Sequence, residues 1–261
     1  PDLTSYDLMN AREKLEYEKA AGLYNTESAV LNQSLQDLYN QRKLAVERGV
    51  DTYWLKYPVR TGIGQRHNVS VEGGNESLRY GASLSYNNVE GAMKGSDRNT
   101  LTGEMFLLYN FKNVTFQNRL TITNNKAHNS PYGSFSDYAK MNAYFTPYDE
   151  EGNIQYMLED QYYYASINRY NTVYNPLYNA YLPQKNESEY TEITNNFAVE
   201  WHILPELFFR GQFSVTKQTN RSDVYVSADN TMFEDFTGDD YRRKGRYTYG
   251  TGNSLDYYGQ A

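Results

Sequence analysis

Residues 79–87 read Arg-Tyr-Gly-Ala-Ser-Leu-Ser-Tyr-Asn, a stretch in which larger side chains alternate with small or polar ones. Tyr80, Ala82, Leu84 and Tyr86 occupy one set of alternate positions, and glycine or serine fills the positions between them. Because successive side chains of a β-strand point to opposite faces, this alternation predicts a strand with one apolar and one polar face.

The same period of two recurs along the chain from about Gln65 onward. Clear examples are residues 114–123, 193–203 and 209–216. In residues 101–111 the pattern is less regular, because Phe106 and Leu108 fall on the face expected to be polar. The sequence therefore predicts a mainly β fold with about seven or eight antiparallel strands.

The predicted connections alternate between short and long. The short turns are 73–75, 110–113 and 204–206, and the longer excursions are 90–98, 124–190 and 228–244. Short turns at one end of the strands, long loops at the other and strands of ~10 residues are typical of an outer-membrane β-barrel. The strands of a soluble β-sandwich also alternate, so a sandwich remains the alternative.

Two further features favour the barrel. Aromatic residues stand beside the short turns, namely Phe111, Phe116, Trp201 and Phe209, where one aromatic girdle of a barrel would lie. Tyr86 would lie near the other girdle. The polar faces carry Arg119, Glu200 and Arg210, which suit a wet lumen.

The first 50 residues have a helical pattern instead. Thr4 and Asp7 fit a capping box, and the period of the leucines and alanines that follow is that of a helix. Gly22 and Gly49 stand where C-terminal caps are expected. The sequence predicts a helical hairpin that packs on a larger body.

Composition excludes several classes of protein. The 261-residue chain carries a net charge of -7, which argues against nucleic-acid binding because phosphate contacts need clustered Lys and Arg. It has no Cys, which excludes thiol chemistry and disulfides. Aromatic residues make up 16% of the chain, which is not typical of disorder.

Neither an apolar run long enough for a membrane-spanning helix nor a signal peptide stands out, so we expect a removed signal peptide or a start in mid-protein.

Several motifs, taken in order, resemble one family. Residues 61–74, Thr-Gly-Ile-Gly-Gln-Arg-His-Asn-Val-Ser-Val-Glu-Gly-Gly, look like a strand and turn of SusC/RagA-type TonB-linked transporters. The run Glu90-Gly-Ala-Met-Lys-Gly-Ser96 resembles the loop after that family's next strand. Residues 6–10, 129–138 and 147–153 are also similar to the family, so that the resemblance extends over nearly the whole chain.

The resemblance implies an organisation. Family members carry a plug domain and a barrel of about 22 strands, far more than this sequence shows. We therefore expect the chain to be an incomplete piece of the early barrel, without a TonB box, plug or closing strand. Residues 1–60 would be a helical extracellular loop region, and residues 61–261 would be antiparallel barrel strands with long surface loops, all within a single barrel domain.

The resemblance also implies a function. The parent protein would be a TonB-dependent importer of glycan or peptide oligomers in the outer membrane of a Gram-negative, Bacteroidetes-type bacterium. Its partners would be a SusD-like surface lipoprotein, TonB through other parts of the protein, and outer-membrane lipid. The alternative function is that of a secreted carbohydrate-binding β-sandwich module.

A long tyrosine-rich excursion supplies the candidate substrate contacts, which are Tyr144, Tyr148, Tyr162, Tyr163 and Tyr164. A tyrosine ring offers a rigid apolar surface with a polar tip, which suits stacking on sugars or gripping peptides. The same rings also suit packing of the loop against itself or against a partner, and this reading is favoured over direct substrate contact.

Catalytic and metal sites are not predicted. His67, His128 and His202 lack metal-ligand spacing, and neither a nucleophile nor an acid–base pair stands out, so the chain is not expected to be an enzyme. The acidic residues 234–240 could hold Ca²⁺ in principle, although a solvated loop is the better interpretation. We expect no cofactor.

Overall fold

The computed structural model describes residues 2–163 and 169–261. The helices are α1 (Ala11–Ala20), α2 (Ala29–Glu47), α3 (Phe135–Ala139) and α4 (Pro176–Ala180). Short 3₁₀ turns lie at Trp54–Lys56, Thr231–Phe233 and Gly238–Arg243. None of the helices in these two ranges is both long enough and apolar enough to cross a membrane.

Strands dominate the structure, which confirms the predicted mainly β class. They are β1 (Gly64–Gly74), β2 (Leu78–Glu90), β3 (Asp97–Phe111), β4 (Val114–His128), β5 (Met157–Tyr163), β6 (Arg169–Tyr174), β7 (Gln184–Leu204), β8 (Leu207–Val226) and β9 (Arg246–Gln260). Seven of them form one antiparallel sheet in the order β1-β2-β3-β4-β7-β8-β9, and β5 pairs with β6 in a separate hairpin.

The connections alternate as expected. Short turns at 75–77, 112–113 and 205–206 link β1 to β2, β3 to β4 and β7 to β8. Longer connections at 91–96, 129–183 and 227–245 link β2 to β3, β4 to β7 and β8 to β9. Because each strand is antiparallel to its neighbours, all the short turns lie at one end of the sheet and all the long connections lie at the other.

The first short turn shows how local sequence sets this geometry. Gly74 has a φ of +135°, and a Cβ there would lie 2.0 Å from the Leu78 carbonyl oxygen, so glycine is required. The Asn75 Oδ1 atom then accepts hydrogen bonds from the backbone N–H groups of Ser77 and Leu78, each at 2.9 Å. This side chain replaces a backbone acceptor and reverses the chain.

Several strands are longer than the alternation predicts. β4 continues to His128 and β7 begins at Gln184, although the predicted strands covered only 114–123 and 193–203. The added segments pair in register, for example Lys126 with Glu189. Their side chains are mostly polar on both faces, so hydropathy has no period there, while backbone hydrogen bonds extend the ladder all the same.

The first helix also begins later than predicted. Residues 4–9 precede α1, and the capping box belongs to Asn10 and Glu13 rather than to Thr4 and Asp7. The Asn10 Oδ1 atom accepts from the Glu13 N–H at 2.9 Å, and the Glu13 Oε2 atom accepts from the Asn10 N–H at 3.0 Å. Thr4 instead donates to the Asp2 carboxylate. Gly22 and Gly49 follow the two helices with positive φ, as expected.

The sheet has one apolar and one polar face. Register aligns Val69, Leu84, Ile122 and Ile193 in a row across β1, β2, β4 and β7, with Gly103 of β3 between them. The next row, on the opposite face, contains Ser70, Ser83, Glu104, Thr121 and Thr194. The apolar row is exposed, so this face is covered by nothing within the described residues.

Phe106 is an exception on the polar face, as its position in the sequence indicated. It pairs with Gly81 on one side and with Arg119 on the other. A Cβ at Gly81 would lie 2.3 Å from the Phe106 Cε1 atom, so the ring lies directly over the glycine. An aromatic ring that covers a glycine on the neighbouring strand stabilises the pairing.

The buried core lies outside the sheet. It is formed by Ala11, Trp54, Leu55, Tyr138, Tyr144, Phe145 and Leu177, which come from residues 2–60 and from the connection between β4 and β7. We call these segments (2–60, 129–163 and 169–183) the lobe. Trp54 illustrates the packing, because its Nε1–H donates to the Asn142 carbonyl oxygen at 3.0 Å.

Candidate functional site

The polar face of the sheet is lined with short hydroxyl and amide side chains. The Oγ1 atoms of Thr194 and Thr216 lie 3.1 Å apart across β7 and β8. The Asn125 amide donates to the Thr100 hydroxyl at 2.6 Å across β4 and β3. Such groups both donate and accept hydrogen bonds, so the face is suited to water and to polar solutes.

Charged side chains on this face cluster towards the short turns. Arg119 contacts Glu104 at 3.1 Å, and Arg210 contacts Glu200 at 2.7 Å. The Nε2 atom of His202 lies 2.8 Å from the other oxygen of Glu200. Register thus confirms that Arg119, Glu200 and Arg210 share the polar face, as the alternation predicted.

A cavity of about 800 Å³ opens on the same face. Its lining includes Glu72, Arg79, Phe106 and Arg119, together with amide side chains of β4, β7 and β8. The two arginines and the acidic residue give this part of the face a mixed charge, which can hold a polar protein segment or solute.

The apolar face ends in a row of charged residues towards the long connections. Glu90, Asp97, His128, Glu187 and Asp223 are aligned across five neighbouring strands. The His128 Nδ1 atom lies 2.8 Å from Asp97, and its Nε2 atom lies 3.5 Å from Glu187. The neighbouring row on this face contains Asn99, Lys126 and Glu189, so the apolar face becomes polar gradually towards the long connections.

The opposite boundary of the apolar band is aromatic. Phe111, Phe116, Trp201 and Phe209 lie beside the short turns, and all four are exposed on the apolar face. Trp201 pairs with Val114 on β4 and with Phe209 on β8. Tyr86 lies on the same face of β2, nearer to the charged row. The indole N–H gives Trp201 a polar edge, and side chains of this kind favour the boundary between an apolar layer and water.

A buried polar cluster joins the helices of the lobe to its long connection. Arg42 donates from Nε and Nη2 to the two carboxylate oxygens of Glu159, and from Nη1 to Glu18 at 3.2 Å. The Tyr24 hydroxyl donates to Glu18 at 2.5 Å. The Tyr144 hydroxyl donates to the same carboxylate at 3.0 Å. This network satisfies every charge that the lobe buries here, so it positions α1 and α2 against β5.

The cluster also shifts proton affinities. Burial, reinforced by the hydrogen bond to Glu18, raises the pKa of Tyr24 above its ordinary value. Burial likewise raises the pKa of Tyr144, against the opposing effect of Arg42. Both hydroxyls therefore stay protonated and donate to Glu18 over the whole physiological range.

The structure separates the five tyrosines that the sequence singled out. Tyr144 is only 4% exposed and lies in the core of the lobe. Tyr148 is half-buried against the Tyr57 ring, with centroids 6.3 Å apart. Tyr162 and Tyr163 lie in β5, and Tyr164 falls outside the described residues. Substrate contact by these residues stays a prediction, and the arrangement shows that Tyr144 packs the lobe.

A second tyrosine cluster lies where the lobe meets the 227–245 connection. A cleft of about 340 Å³ is lined by Tyr156, Tyr178 and Tyr241 together with Asp229, Asn230, Glu234 and Lys244. The sequence did not single out Tyr241, because it follows an acidic stretch that is typical of a solvated loop. Its proximity to Tyr156 and Tyr178 depends on long-range folding that no local pattern reveals.

Metal ligands are not gathered together in the part of the chain that the structure describes. Within 2–163 and 169–261, no group of three or more His, Asp or Glu side chains is placed to hold an ion. The acidic stretch at 234–240 is instead spread out, since Glu234 accepts a hydrogen bond from Tyr156 and Asp240 pairs with Arg243.

Comparison with known proteins identifies the fold. No family model matches the sequence, and no curated protein matches it. A chain of the RagAB peptide transporter superposes with a TM-score of 0.63 and 17% identity, covering 86% of this chain and 27% of that one. This chain folds like part of a RagAB transporter.

Two further RagAB structures agree. Chains of the RagAB peptide importer in the "closed-closed" and "open-open" states give TM-scores of 0.62 and 0.61, with 16% and 17% identity, and each covers 85% of this chain. The matches extend over only 27% and 26% of those two RagAB chains, so this chain spans about a quarter of the RagAB chains that it matches. The similarity supports the SusC/RagA resemblance at the level of the fold, and it is almost equal for the two states.

Proposed function

We propose that this chain is part of a TonB-dependent outer-membrane importer of glycan or peptide oligomers that works with a SusD-like surface lipoprotein. One observation carries the proposal, namely a seven-stranded antiparallel sheet with an exposed apolar face and a polar face, in a chain that superposes over 86% of its length on a RagAB transporter chain. In such a barrel the apolar face contacts lipid and the polar face lines the lumen.

The boundaries of the apolar face support contact with lipid. Exposed apolar residues such as Val69 and Leu84 lie between the aromatic residues at the short turns and the charged row at the long connections, interrupted by Asn118, Asn195 and Lys217. An apolar patch of this extent marks a surface that another apolar phase or protein covers. An apolar band flanked by aromatic residues has the anatomy of an outer-membrane barrel wall.

The same observation weighs against the carbohydrate-binding sandwich. A sandwich needs a second sheet packed on the apolar face of the first. The other sheet among the described residues is the β5–β6 hairpin, and Leu158 and Val173 of that hairpin pack against the core of the lobe. The apolar face is therefore left for a different partner.

The alternation of connections supports an orientation. In outer-membrane barrels the short turns face the periplasm and the long loops face outward. The lobe and the 227–245 connection are on the side of the long loops, and there they would contact the lipoprotein and the substrate. TonB would act from the periplasmic side, through other parts of the protein.

Neighbouring residues on the two faces provide the test. Leu84 is 55% exposed on the apolar face, while Ser83 faces the polar side. We expect Leu84→Arg to destabilise the inserted protein by about 2–4 kcal/mol, because arginine would face hydrocarbon. Ser83→Arg would face a wet lumen and serves as the matched control. The amount of folded protein in isolated outer membranes, assayed by resistance to urea extraction, measures the difference.

Equal losses for the two variants, or recovery of the wild-type protein in the soluble fraction, would refute the barrel.

Transport needs a separate measurement, which is the uptake of fluorescently labelled oligosaccharides and peptides by cells that lack either the lipoprotein or TonB. We expect uptake to fall to background in both strains. Uptake that continues unchanged would refute the importer and leave the barrel intact.

A further inference from the structure

The cleft between the lobe and the 227–245 connection is held open by contacts on both sides. The Asn179 amide donates to the Thr231 hydroxyl at 2.7 Å, and its Oδ1 atom accepts from the Thr231 N–H at 3.1 Å. The Tyr156 hydroxyl donates to Glu234. These pairs join α4 and the residue before β5 to the connection between β8 and β9. The cleft is therefore formed before any ligand enters, which reduces the ordering penalty of binding.

Its aromatic wall has both packed and free rings. The Tyr156 and Tyr178 rings meet edge to face with centroids 4.9 Å apart. The Tyr241 ring is 65% exposed, and the Lys244 ammonium group lies 5.0 Å from its centroid. Tyr178 and Tyr241 thus offer aromatic surface to a ligand, while Tyr156 packs against Tyr178.

The polar groups in the cleft are mixed in type and nearly balanced in charge. Asp229 and Glu234 are acceptors, Lys244 is a donor, and the side-chain Oδ1 atom of Asn230 already accepts from the Met232 N–H. A cationic ligand would meet the Lys244 ammonium group already placed over the aromatic ring. An anionic ligand would meet two carboxylates. The carboxylates therefore disfavour an anionic ligand, while Lys244 offsets one of them and leaves only a single net negative charge to attract a cation.

We propose that this cleft is a binding subsite for a neutral saccharide. The hydroxyl groups of a sugar both donate and accept, which matches the mixture of carboxylate, ammonium and phenol groups. The apolar face of a sugar ring can lie on Tyr241. The volume of about 340 Å³ is at the small end of ligand pockets, so the cleft would hold about one or two sugar rings.

Among glycans and peptides, the subsite selects the glycan. The inference rests on the proposed function only for the outward orientation of the cleft, since binding itself does not require transport. A failure of uptake and a failure of binding are therefore distinguishable. The RagAB structures are described as peptide transporters, so a saccharide subsite would mark a difference from them.

The test is calorimetric titration of the full-length protein in detergent. The probes are linear hexasaccharides of glucose, mannose and xylose, with trilysine and triglutamate as charged peptides. We expect at least one hexasaccharide to bind, and Tyr241→Ala to weaken that binding by about tenfold or more, as for loss of an aromatic anchor. Tyr241→Phe should retain most of the affinity, because the ring remains.

Tyr17→Ala is the matched control. Tyr17 is 56% exposed on α1 and also has a lysine over its ring, at 5.9 Å, but it lies outside the cleft. Its loss should leave affinity unchanged. The proposal is overturned when no hexasaccharide binds, when Tyr241→Ala binds as tightly as the wild type, or when trilysine binds more tightly than every hexasaccharide. The last outcome would assign the cleft to basic peptides instead.

Discussion

The lobe and the sheet use the same kinds of side chain in opposite ways. The chain has two tryptophans, and Trp54 in the lobe is 2% exposed whereas Trp201 in the sheet is 44% exposed. The lobe buries its apolar surface against itself, which is the usual source of stability in a soluble domain. The sheet instead presents its apolar surface outward, and the residues that the structure describes leave it uncovered.

Charged side chains repeat the comparison. Arg42 in the lobe is buried and forms a bidentate pair with Glu159. Arg210 in the sheet also contacts one glutamate through two nitrogens, but it is exposed on the polar face. A buried pair leaves an uncompensated charge when one partner is removed, whereas an exposed pair exchanges its partner for water. The lobe should therefore be sensitive to single substitutions that the sheet tolerates.

The largest effect is expected at Trp54. Trp54→Ala removes a buried ring and its hydrogen bond to the Asn142 carbonyl oxygen, so the lobe should lose about 3–5 kcal/mol of unfolding free energy. Amide hydrogen exchange of residues 138–145 measures this loss. Trp201→Ala is the matched control, and it should leave exchange in the lobe unchanged. Similar exchange in the two variants would break the distinction between the two regions.

A smaller effect is expected at Arg42. Arg42→Met should destabilise the lobe by about 3 kcal/mol, because Glu18 and Glu159 would stay buried without their cation. The same exchange experiment detects it as faster exchange in α2 and β5. The corresponding change on the sheet, Arg210→Met, should have little measurable effect. A lobe that tolerates Arg42→Met would show that packing alone holds the helices in place.

The smallest effect is expected in the sheet, at Gly81. Gly81→Ala would place a methyl group against the Phe106 ring, which should cost about 1–3 kcal/mol. Gly103→Ala is the control, since a Cβ at Gly103 meets no atom within 4 Å. Urea titration of the detergent-solubilised protein compares the two variants. Equal midpoints would mean that the Phe106 ring moves away from Gly81 without loss.

The sheet could be predicted largely from the sequence, because alternation of polarity is a local pattern. Leu84 and Ser83 are adjacent in sequence, and their contrast alone predicts which face each occupies. The pattern failed at 124–128 and 184–192, where polar side chains stand on both faces. Pairing there depends on backbone hydrogen bonds that continue an established ladder, and these bonds cannot be predicted from the polarity of the side chains.

The lobe and its cleft could be predicted only in part. The helices have the period of an α-helix and glycine caps, but Arg42 and Glu159 are 117 residues apart and no local pattern joins them. The richness in tyrosine was evident, although it did not distinguish Tyr144, which packs the core, from Tyr241, which is exposed. The direction in which a side chain points in an irregular connection depends on tertiary contacts, so the sequence alone does not show which tyrosines are buried.

The lobe's long connection arises between two strands that pair directly with each other. β4 and β7 are hydrogen-bonded neighbours from Val114–Trp201 to His128–Glu187, so the 129–183 connection leaves and re-enters the sheet at one point. The entropy of closing such a loop grows only logarithmically with its length, by about 0.6 kcal/mol for each doubling. Insertions into this connection therefore cost the sheet little free energy, and the connection can change in size while the register of the strands is preserved.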